Sequence, residues 1–388
     1  MLVTRDISAR LRELLAQYPV LALTGPRQSG KTTLLRNLFP EYRYVSLEEP
    51  FQREFAQNDP RGFLDMYDRF VIFDEAQRVP DLFSYIQTKT DNDRLMGQYI
   101  LSGSQNFLLL EQITQSLAGR VSLFKLLPFS HAELAAHAPS LLQERPSEAI
   151  FWGGYPALYD RGIQHFDFFS DYIETYVERD VRNLLRVQDL TAFRNFVRLC
   201  ASRIGTPLNL HSLAVDCGIS NPTARAWMSL LESSYIVYLL PPYFRNFNKR
   251  IIKSHKLYFY DTGLACYLLG LTAPEQIENF HQRGSLFENM AILELLKNRI
   301  NRKAPTNFYF WQDSNGVEVD LLVEEDTRTH LFEMKYSQTP HSEFSKGIGA
   351  FRKTAGQLSG DNTVVYAGDT DQRRSDANLL GWKALKNL

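Results

Sequence analysis

The chain has 388 residues, more than one compact core usually organises, so two or three domains are expected. Its 43 Lys and Arg residues nearly balance its 44 Asp and Glu residues, and the net charge of −1 excludes a global attraction to nucleic acid or membrane surfaces. The start of the chain lacks an apolar signal core and no run approaches the roughly 18 apolar residues of a spanning helix, so we expect a cytoplasmic protein without membrane segments.

The first predicted elements are a strand, a glycine-rich loop and a helix. Val20–Thr24 is a short apolar segment typical of a strand, and residues 33–39 carry apolar side chains at helical spacing. The loop between them, residues 25–32, fits the pattern G-x-x-x-x-G-K-[ST] without a mismatch. The residues predicted to contact a nucleotide are Gly25, Pro26, Arg27, Gln28, Ser29, Gly30, Lys31, Thr32 and Thr33.

Each residue type in this loop suits a polyphosphate ligand. Glycine allows positive φ and close approach of the backbone, so loop N–H groups and the helix N-terminus face the phosphates. Lys31 would reach the β- and γ-phosphates, and the Thr32 hydroxyl would bind Mg²⁺. A glycine turn that matches by chance is the alternative, and the strand and helix on either side argue against it. The sequence therefore predicts a nucleotide-binding protein.

A second apolar strand, residues 70–73, ends in the carboxylates Asp74 and Glu75. This is a Walker B pattern, in which Asp74 would hold Mg²⁺ through water and Glu75 would be the general base for the attacking water. Such a run is often only the end of a strand. Its position downstream of the glycine-rich loop favours the catalytic interpretation.

The third apolar strand, residues 99–101, leads into a polar stretch. One of its side chains is expected between the Walker B carboxylate and the γ-phosphate, the role called sensor 1. Ser104 is preferred for this role, with Ser102 and Asn106 as alternatives. A plain polar turn that caps the next helix explains the same residues equally well.

Arg120 follows a segment with helical character, residues 107–117. Its guanidinium is predicted to contact the γ-phosphate, either in its own chain or in a neighbouring subunit of an oligomer. Such an arginine finger contributes on the order of 10³–10⁵ in rate where it operates. The alternative is that Arg120 only caps the C-terminus of that helix.

Strands that alternate with helices over short connections predict a parallel, doubly wound α/β sheet with its site at the carboxyl ends of the strands. The segments that carry a family resemblance are GPRQSGKTT, VIFDEAQ, ILSGSQ and LAGR. They resemble the AAA+-type ATPases of bacteria and archaea whose C-terminal half is an uncharacterised domain. The resemblance covers nearly the whole chain and implies ATP as the nucleotide, in keeping with the lack of a guanine-selecting Asn-Lys-x-Asp stretch.

The middle of the chain predicts two short helices around a glycine turn. The first covers residues 210–216, and Asn221 is expected to cap the second, with Pro222 in its first turn. This pair forms a helix-turn-helix, and the β-rich runs at 235–240 and 256–260 would form the wing of a winged-helix domain.

DNA is one expected partner of this region. Residues 245–253 carry four basic side chains among aromatic ones, and they would contact phosphates while the second helix enters a major groove. Arg225 is the basic residue in the first two turns of that helix. A module that binds a protein partner is the alternative, because a charge run is usually a solvated face.

The C-terminal part predicts a helix followed by three strands. The helix covers residues 284–296, and the strands cover 308–311, 317–323 and 330–335. Glu333 and Lys335 stand two residues apart on the last strand and therefore share one face of the sheet. Asp320 on the neighbouring strand and Glu288 on the helix are expected to approach them.

This arrangement resembles the PD-(D/E)xK nuclease core, and the resemblance implies roles for four residues. Asp320 and Glu333 would bind Mg²⁺, Glu288 would complete the carboxylate shell, and Lys335 would orient the attacking water. An exposed hairpin with an ordinary Glu-Lys pair is the alternative.

The predicted architecture is a P-loop ATPase domain at 1–135, a helical and winged-helix region at 136–275 and a restriction-endonuclease-like α/β domain at 276–388. The odd cysteine count predicts buried thiols at Cys200, Cys217 and Cys266. We expect a Mg²⁺-dependent ATPase whose nucleotide state is coupled to the C-terminal modules near DNA. The alternatives are a nucleotide-regulated, Mg²⁺-dependent nuclease and a slow ATP-dependent switch or scaffold that binds a protein partner.

Overall fold

A computed structural model describes residues 3–104, 106–177, 189–243, 254–355 and 359–388. The chain divides into two compact units. The N-terminal unit comprises the chain through Pro128 together with Ile300–Ala304, and the C-terminal unit comprises Phe129–Arg299 and Pro305–Leu388.

The N-terminal unit is a layered α/β structure. Its helices are α1 (Ser8–Leu15), α2 (Lys31–Leu38), α3 (Pro50–Asn58), α4 (Pro60–Met66), α5 (Leu82–Asp93) and α6 (Asn106–Ser116). Its strands are β1 (Val20–Thr24), β2 (Arg43–Ser46), β3 (Val71–Asp74), β4 (Tyr99–Ser102) and β5 (Val121–Lys125). Helices α3 and α4 each begin at a proline, which suits the first turn because that turn leaves N–H groups unpaired.

The five strands form one parallel sheet in the order β2-β3-β4-β1-β5. Every residue of β1, β3 and β4 is buried, as expected for a parallel sheet covered on both faces. Alternate residues of β1 enter two different cores, with Ala22 in one and Leu21 in the other. The predicted parallel α/β sheet is confirmed, and β2 and β5 add strands that the sequence analysis did not identify.

The strand register brings the predicted site residues to one edge of the sheet. Asp74 at the end of β3 pairs with Ser102 at the end of β4. Ser102 also pairs with Leu23 near the end of β1. The glycine-rich loop that leaves β1 therefore starts beside both residues.

The C-terminal unit combines helices with two sheets. Its helices are α7 (His131–His137), α8 (Pro146–Trp152), α9 (Pro156–Asp160), α10 (His165–Tyr172), α11 (Leu190–Ala201), α12 (Leu210–Asp216), α13 (Asn221–Ser233), α14 (Thr262–Leu268), α15 (Arg283–Asn301) and α16 (Lys346–Ala355). Its strands are β6 (Val237–Leu240), β7 (Lys256–Phe259), β8 (Phe308–Gln312), β9 (Glu318–Glu325), β10 (Arg328–Lys335), β11 (Asn362–Tyr366), β12 (Gln372–Arg373) and β13 (Asn378–Gly381).

Helices α12 and α13 flank the predicted glycine turn, and β6 pairs antiparallel with β7. The cap of α13 differs by one residue from the prediction. Ser220, not Asn221, accepts the Thr223 backbone N–H at 3.2 Å, so Asn221 is the first helical residue. Ser and Asn are both good caps, which is why the pattern alone did not separate them.

The larger sheet of this unit is mixed, in the order β12-β13-β11-β10-β9-β8. Strands β8, β9 and β10 are antiparallel, whereas β11 joins β10 in parallel and β13 joins β11 in parallel. The short strands β12 and β13 were not predicted, because two to four residues give too little alternation to indicate a strand.

Helix α15 buries polar side chains that find partners within the C-terminal unit. The Asn289 side chain accepts from the Phe259 backbone N–H at 2.7 Å and donates to its carbonyl at 2.8 Å. This two-way contact fixes β7 against α15. None of the described helices is both long enough and apolar enough to cross a membrane.

The three cysteines lie in the C-terminal unit as free thiols. Cys200 and Cys266 are buried, as expected, and burial raises the pKa of both thiols. Cys217 is only partly buried, because it follows the last turn of the short helix α12.

Candidate nucleotide-binding site

The backbone of the loop after β1 has the conformation that its glycines permit. Gly25 has φ +146°, and a Cβ atom there would lie 2.1 Å from the Leu126 carbonyl oxygen. Gly30 caps α2 with φ 92°. Both positions require the freedom of glycine, so the loop can bring its N–H groups close to a ligand.

The Lys31 ammonium lies inside this loop. Its Nζ donates to the carbonyls of Gly25 at 2.9 Å and Pro26 at 2.8 Å. Burial lowers the pKa of Lys31 to about 8, although the charges of Glu75 and Asp74 oppose the change. A phosphate in the loop would favour the charged form, because it would supply the opposite charge that burial withholds.

The Asp74 carboxylate accepts four hydrogen bonds. Oδ1 accepts from the Ser102 hydroxyl at 2.6 Å and from the Glu75 backbone N–H at 3.1 Å. Oδ2 accepts from the Thr32 hydroxyl at 2.8 Å and from the Tyr44 hydroxyl at 2.6 Å. The glycine-rich loop and the Walker B strand are therefore joined through Thr32 and Asp74, the two residues that are expected to bind the metal ion.

Glu75 is held by two neighbouring side chains. The Ser104 hydroxyl lies 3.1 and 3.2 Å from its two carboxylate oxygens, and the Gln77 amide donates to Oε2 at 2.6 Å. The backbone of Glu75 is left-handed, with φ 54°. Ser102 and Ser104 thus contact different carboxylates. The side chain of Asn106, the third residue considered, lies outside the described part of the structure.

The remaining loop residues differ in exposure. Pro26 and Ser29 are buried, Arg27 is partly buried, and Gln28 and Thr33 are exposed. The buried Ser29 hydroxyl has no hydrogen-bond partner among the residues that the structure describes. An unpaired buried hydroxyl beside the loop amides is a group that an incoming ligand can satisfy.

Arg120 does not approach this site within its own chain, which corrects the prediction for a finger acting in cis. It directly precedes β5, whose first residue, Val121, pairs with Val20 at the start of β1. The glycine-rich loop leaves the other end of β1, so Arg120 stands at the opposite edge of the sheet. Its guanidinium donates to both carboxylate oxygens of Asp91, at 2.6 and 2.9 Å, and to the Ala118 carbonyl at 3.1 Å.

Three of the four nuclease-like residues are in direct contact in the C-terminal unit, and the charge of the fourth, Glu288, interacts with that of Asp320. The Lys335 Nζ lies 2.5 Å from Glu333 Oε2 and 3.2 Å from Asp320 Oδ2. Burial and the Asp320 charge raise the pKa of Glu333 to about 9. Although burial opposes it, the charges of Lys335 and Lys256 hold the pKa of Asp320 below its usual value.

The fourth residue, Glu288, pairs with a lysine that the sequence analysis did not include. Lys256 Nζ lies 3.0 Å from Glu288 Oε1 and 3.2 Å from Glu318 Oε2, and the Tyr258 hydroxyl also donates to Glu288 Oε1. Burial raises the pKa of Glu288 to about 7, although Lys256 opposes this change.

Lys256 and Lys335 lie beside the carboxylates that were predicted to hold a metal ion. Within the described residues, no group of three or more His, Cys, Asp or Glu side chains is arranged to hold a metal ion. Lys256, which was not part of the predicted set, contacts Glu288 and Glu318 oxygens that a cation would need. The alternation Lys256-Leu257-Tyr258 on one strand was a usable signal, since period-2 geometry directs both polar side chains to one face.

The predicted DNA-contacting residues are described only in part. Arg225 is exposed on α13. The basic run at residues 245–253 lies outside the described residues.

Comparison with known families matches three parts of the chain. Residues 17–135 match the AAA domain, residues 143–275 match the domain of unknown function DUF8612, and residues 283–385 match the domain of unknown function DUF4143.

Two solved structures have limited similarity to the chain. The Walker-type ATPase PABY2304 of Pyrococcus abyssi is 19% identical with a TM-score of 0.45, covering 68% of this chain and 94% of that one. AMPPCP-bound DnaA from Aquifex aeolicus is 16% identical with a TM-score of 0.29, covering 58% of this chain and 85% of that one. At these TM-scores neither likeness supports a conclusion.

Two curated mycobacterial proteins are more informative. The uncharacterized proteins Rv2008c of Mycobacterium tuberculosis and Mb2031c of Mycobacterium bovis are each 33% identical to this chain over 342 residues. The match covers 87% of this chain and 74% of each relative. The chain therefore belongs to the family of these mycobacterial proteins and carries an AAA-type ATPase domain in its N-terminal part.

Proposed function

We propose that the chain is a Mg²⁺-dependent ATPase of the AAA+ type. The observation that carries this proposal is the hydrogen bond of 2.8 Å between the Thr32 hydroxyl and Asp74 Oδ2, which joins the glycine-rich loop to the Walker B strand. Lys31 lies in the same loop, and Glu75 follows Asp74 directly. Together these residues would provide the lysine for the phosphates, the oxygen atoms for the metal ion and the base for the attacking water.

The donor set fits Mg²⁺ and a triphosphate. Thr32 and Asp74 offer oxygen atoms, which are the ligands that Mg²⁺ prefers, with Asp74 acting through water. The loop amides and the Lys31 ammonium offer positive potential to the phosphates. When bound, Mg²⁺ would neutralise charge on the β- and γ-phosphate oxygens.

Glu75 is the proposed general base. Its carboxylate would accept a proton from the attacking water, while the hydrogen bonds from Ser104 and Gln77 fix its orientation. Holding the base in one orientation lowers the entropic cost of the reaction. Arg120 remains a candidate finger only toward a neighbouring subunit, because in its own chain it stands at the opposite edge of the sheet, where it contacts Asp91 and Ala118.

The direct test measures ATP binding by calorimetry and phosphate release in Mg²⁺. The wild-type protein is expected to bind and hydrolyse ATP, and Lys31→Ala is expected to lose binding. Lys89→Ala on α5, whose ammonium pairs with Asp93 at 3.0 Å away from the loop, is the control and should keep ATP binding. A wild-type protein that binds no nucleotide would refute the proposal.

We further propose that the nucleotide state is coupled to the C-terminal unit and that this unit acts on or near DNA. The exposed Arg225 at the start of α13 supports a nucleic-acid contact, since helix-turn-helix proteins use the start of the second helix. Phosphate release measured with and without duplex DNA, at two salt concentrations, tests it, because phosphate contacts weaken as salt rises. Turnover that DNA leaves unchanged at low salt would contradict a DNA role and favour the switch that binds a protein partner.

A nucleotide-regulated nuclease is a second candidate. It is favoured by the contact of Lys335 with both Glu333 and Asp320, at 2.5 and 3.2 Å. Plasmid nicking in Mg²⁺ and ATP, compared between wild type and Asp320→Ala, tests this candidate. Nicking that is lost in Asp320→Ala would support this candidate, and nicking that is absent from the wild type or unchanged in the variant would exclude it.

A further inference from the structure

The Asp74 carboxylate has no acceptor position left for a metal-bound water. A carboxylate offers about four lone-pair positions. The four donors are Thr32, Tyr44, Ser102 and the Glu75 backbone N–H. If Asp74 is to accept a hydrogen bond from a water on Mg²⁺, one of these donors must leave.

Three of the four donors are poor candidates to leave. The Glu75 N–H belongs to the backbone next to Asp74. Ser102 is fully buried and fixed opposite Asp74 by the strand register. Thr32 belongs to the loop that would itself bind the metal, so its hydroxyl stays beside Asp74 in the proposed loaded site.

Tyr44 differs from the other three donors in the strand that carries it and in the exposure of its side chain. It lies on β2 and is only partly buried. Ser46 pairs with Asp74, and Tyr44 stands two residues earlier on the same face of the strand. The Arg36 guanidinium lies 5.0 Å from the centre of the Tyr44 ring, so an alternative contact for the ring is already present.

We propose that Tyr44 is a positioning residue whose hydroxyl occupies, in the free protein, the place on Asp74 that a metal-bound water takes in the loaded site. Tyr44 thereby sets the Mg²⁺ concentration at which nucleotide binds. This inference rests on the proposed ATPase function, because it needs a metal beside Asp74.

The experiment titrates Mg²⁺ into protein with a non-hydrolysable ATP analogue and measures binding by calorimetry. In Tyr44→Phe the Mg²⁺ concentration for half-maximal enhancement should fall about tenfold, the fold-change expected when one competing hydrogen bond to a charged group is removed. Binding of the analogue in EDTA should not change, since the competition concerns the metal alone.

Two variants serve as comparisons. Tyr42→Phe removes a hydroxyl that donates to the Gly97 carbonyl at 2.5 Å, remote from Asp74, and should leave the Mg²⁺ requirement unchanged. Tyr67→Phe removes a hydroxyl that donates to Gln52 Oε1 at 3.2 Å and should leave the requirement unchanged as well. Circular dichroism of each variant verifies the fold.

The outcomes separate this inference from the proposed function. A tenfold lower requirement in Tyr44→Phe alone supports the inference. An unchanged or higher requirement in Tyr44→Phe, while the wild type binds Mg²⁺-nucleotide, overturns the inference and leaves the ATPase proposal intact. A wild type that binds no nucleotide refutes both.

Discussion

At Glu75 a single substitution can remove the proposed base and still keep the hydrogen bonds of the side chain. Glutamine has the same shape and can keep contacts with Ser104 and Gln77, but it cannot take a proton from water. Glu75→Gln should therefore bind ATP as the wild type does and lose about 10²–10⁴ in turnover, the usual contribution of a general base. Calorimetry and phosphate release measure the two quantities. Ser104→Ala, which keeps the carboxylate, should lose less, and normal turnover in Glu75→Gln would remove Glu75 from the role.

Lys31 predicts a pH dependence of nucleotide binding. Its pKa in the free protein is lowered to about 8 by burial, and only the ammonium attracts phosphate. Binding should be constant below that pH and weaken as pH rises through it, by about tenfold per unit above the pKa. Calorimetry from pH 6.5 to 9.5 gives the profile. Lys31→Ala should bind weakly with a flat profile, and a wild-type profile that stays flat to high pH would contradict the prediction.

Some residues of the candidate site could be predicted from the sequence, and others could not. Lys31, Thr32, Asp74 and Glu75 could be predicted because the loop and the carboxylate pair are local patterns. Tyr44 could not, since its contact with Asp74 exists only once β2 pairs with β3, and no spacing in the sequence reports that pairing.

At the scale of elements, burial decides which strands the sequence reveals. Strands β1, β3 and β4 are buried throughout and appear as uninterrupted apolar runs. Strands β2 and β5 lie at the edges of the sheet and carry exposed charged residues, Arg43 and Lys125, so their runs are interrupted. Edge strands commonly carry such charges because these discourage pairing with other chains. Because β5 was not predicted, the position of Arg120 directly before this strand was not apparent from the sequence. Arg120 was therefore assigned a role that it does not have in its own chain.

The contact between β7 and α15 predicts a stability change. The Lys256 side chain is 1% exposed and pairs with the buried Glu288. Lys256→Met leaves that carboxylate without its counter-charge and should cost about 3–5 kcal/mol of unfolding free energy. Denaturation in urea measures the loss, and Lys256→Met combined with Glu288→Gln should recover much of it.

The loss in Lys256→Met should also depend on pH. The pKa of Glu288 is already raised to about 7 in the folded protein, and removing Lys256 raises it further. A carboxyl whose folded pKa is raised binds its proton more tightly when folded, so stability falls as pH rises toward the folded pKa. The variant should therefore lose more stability at pH 8 than at pH 6. An equal loss at both pH values would show that Glu288 does not carry the effect.

For the whole molecule, the three predicted segments correspond to two compact units. The predicted boundary at residue 135 lies near the observed division at 128, whereas the boundary at 275 falls inside the C-terminal unit. The contacts of Lys256 and Phe259 with α15 cross that second boundary. The three-segment division was drawn from motifs along the chain and stays a prediction, and side-chain pairs between distant segments leave no trace in such motifs. The two compact units are the bodies in which the response to ATP can be measured.

Coupling of nucleotide state to the C-terminal unit has a thermodynamic signature. A ligand present at about 100 times its Kd stabilises the unit that binds it by about 2.7 kcal/mol. If the units are energetically independent, Mg²⁺ and a non-hydrolysable ATP analogue will raise only the unfolding transition of the N-terminal unit. Coupling predicts that the unfolding temperatures of both units rise, because unfolding of the C-terminal unit then lowers the affinity of the N-terminal unit for the nucleotide.

Calorimetric scans with and without nucleotide measure both transitions, and Lys256→Met identifies the transition of the C-terminal unit because it lowers that one. Lys31→Ala should abolish both shifts. A shift confined to the N-terminal transition would mean that nucleotide binding does not change the stability of the C-terminal unit. The molecule would then be an ATPase joined to an independent unit, and the proposed action near DNA would have to proceed without control by the nucleotide.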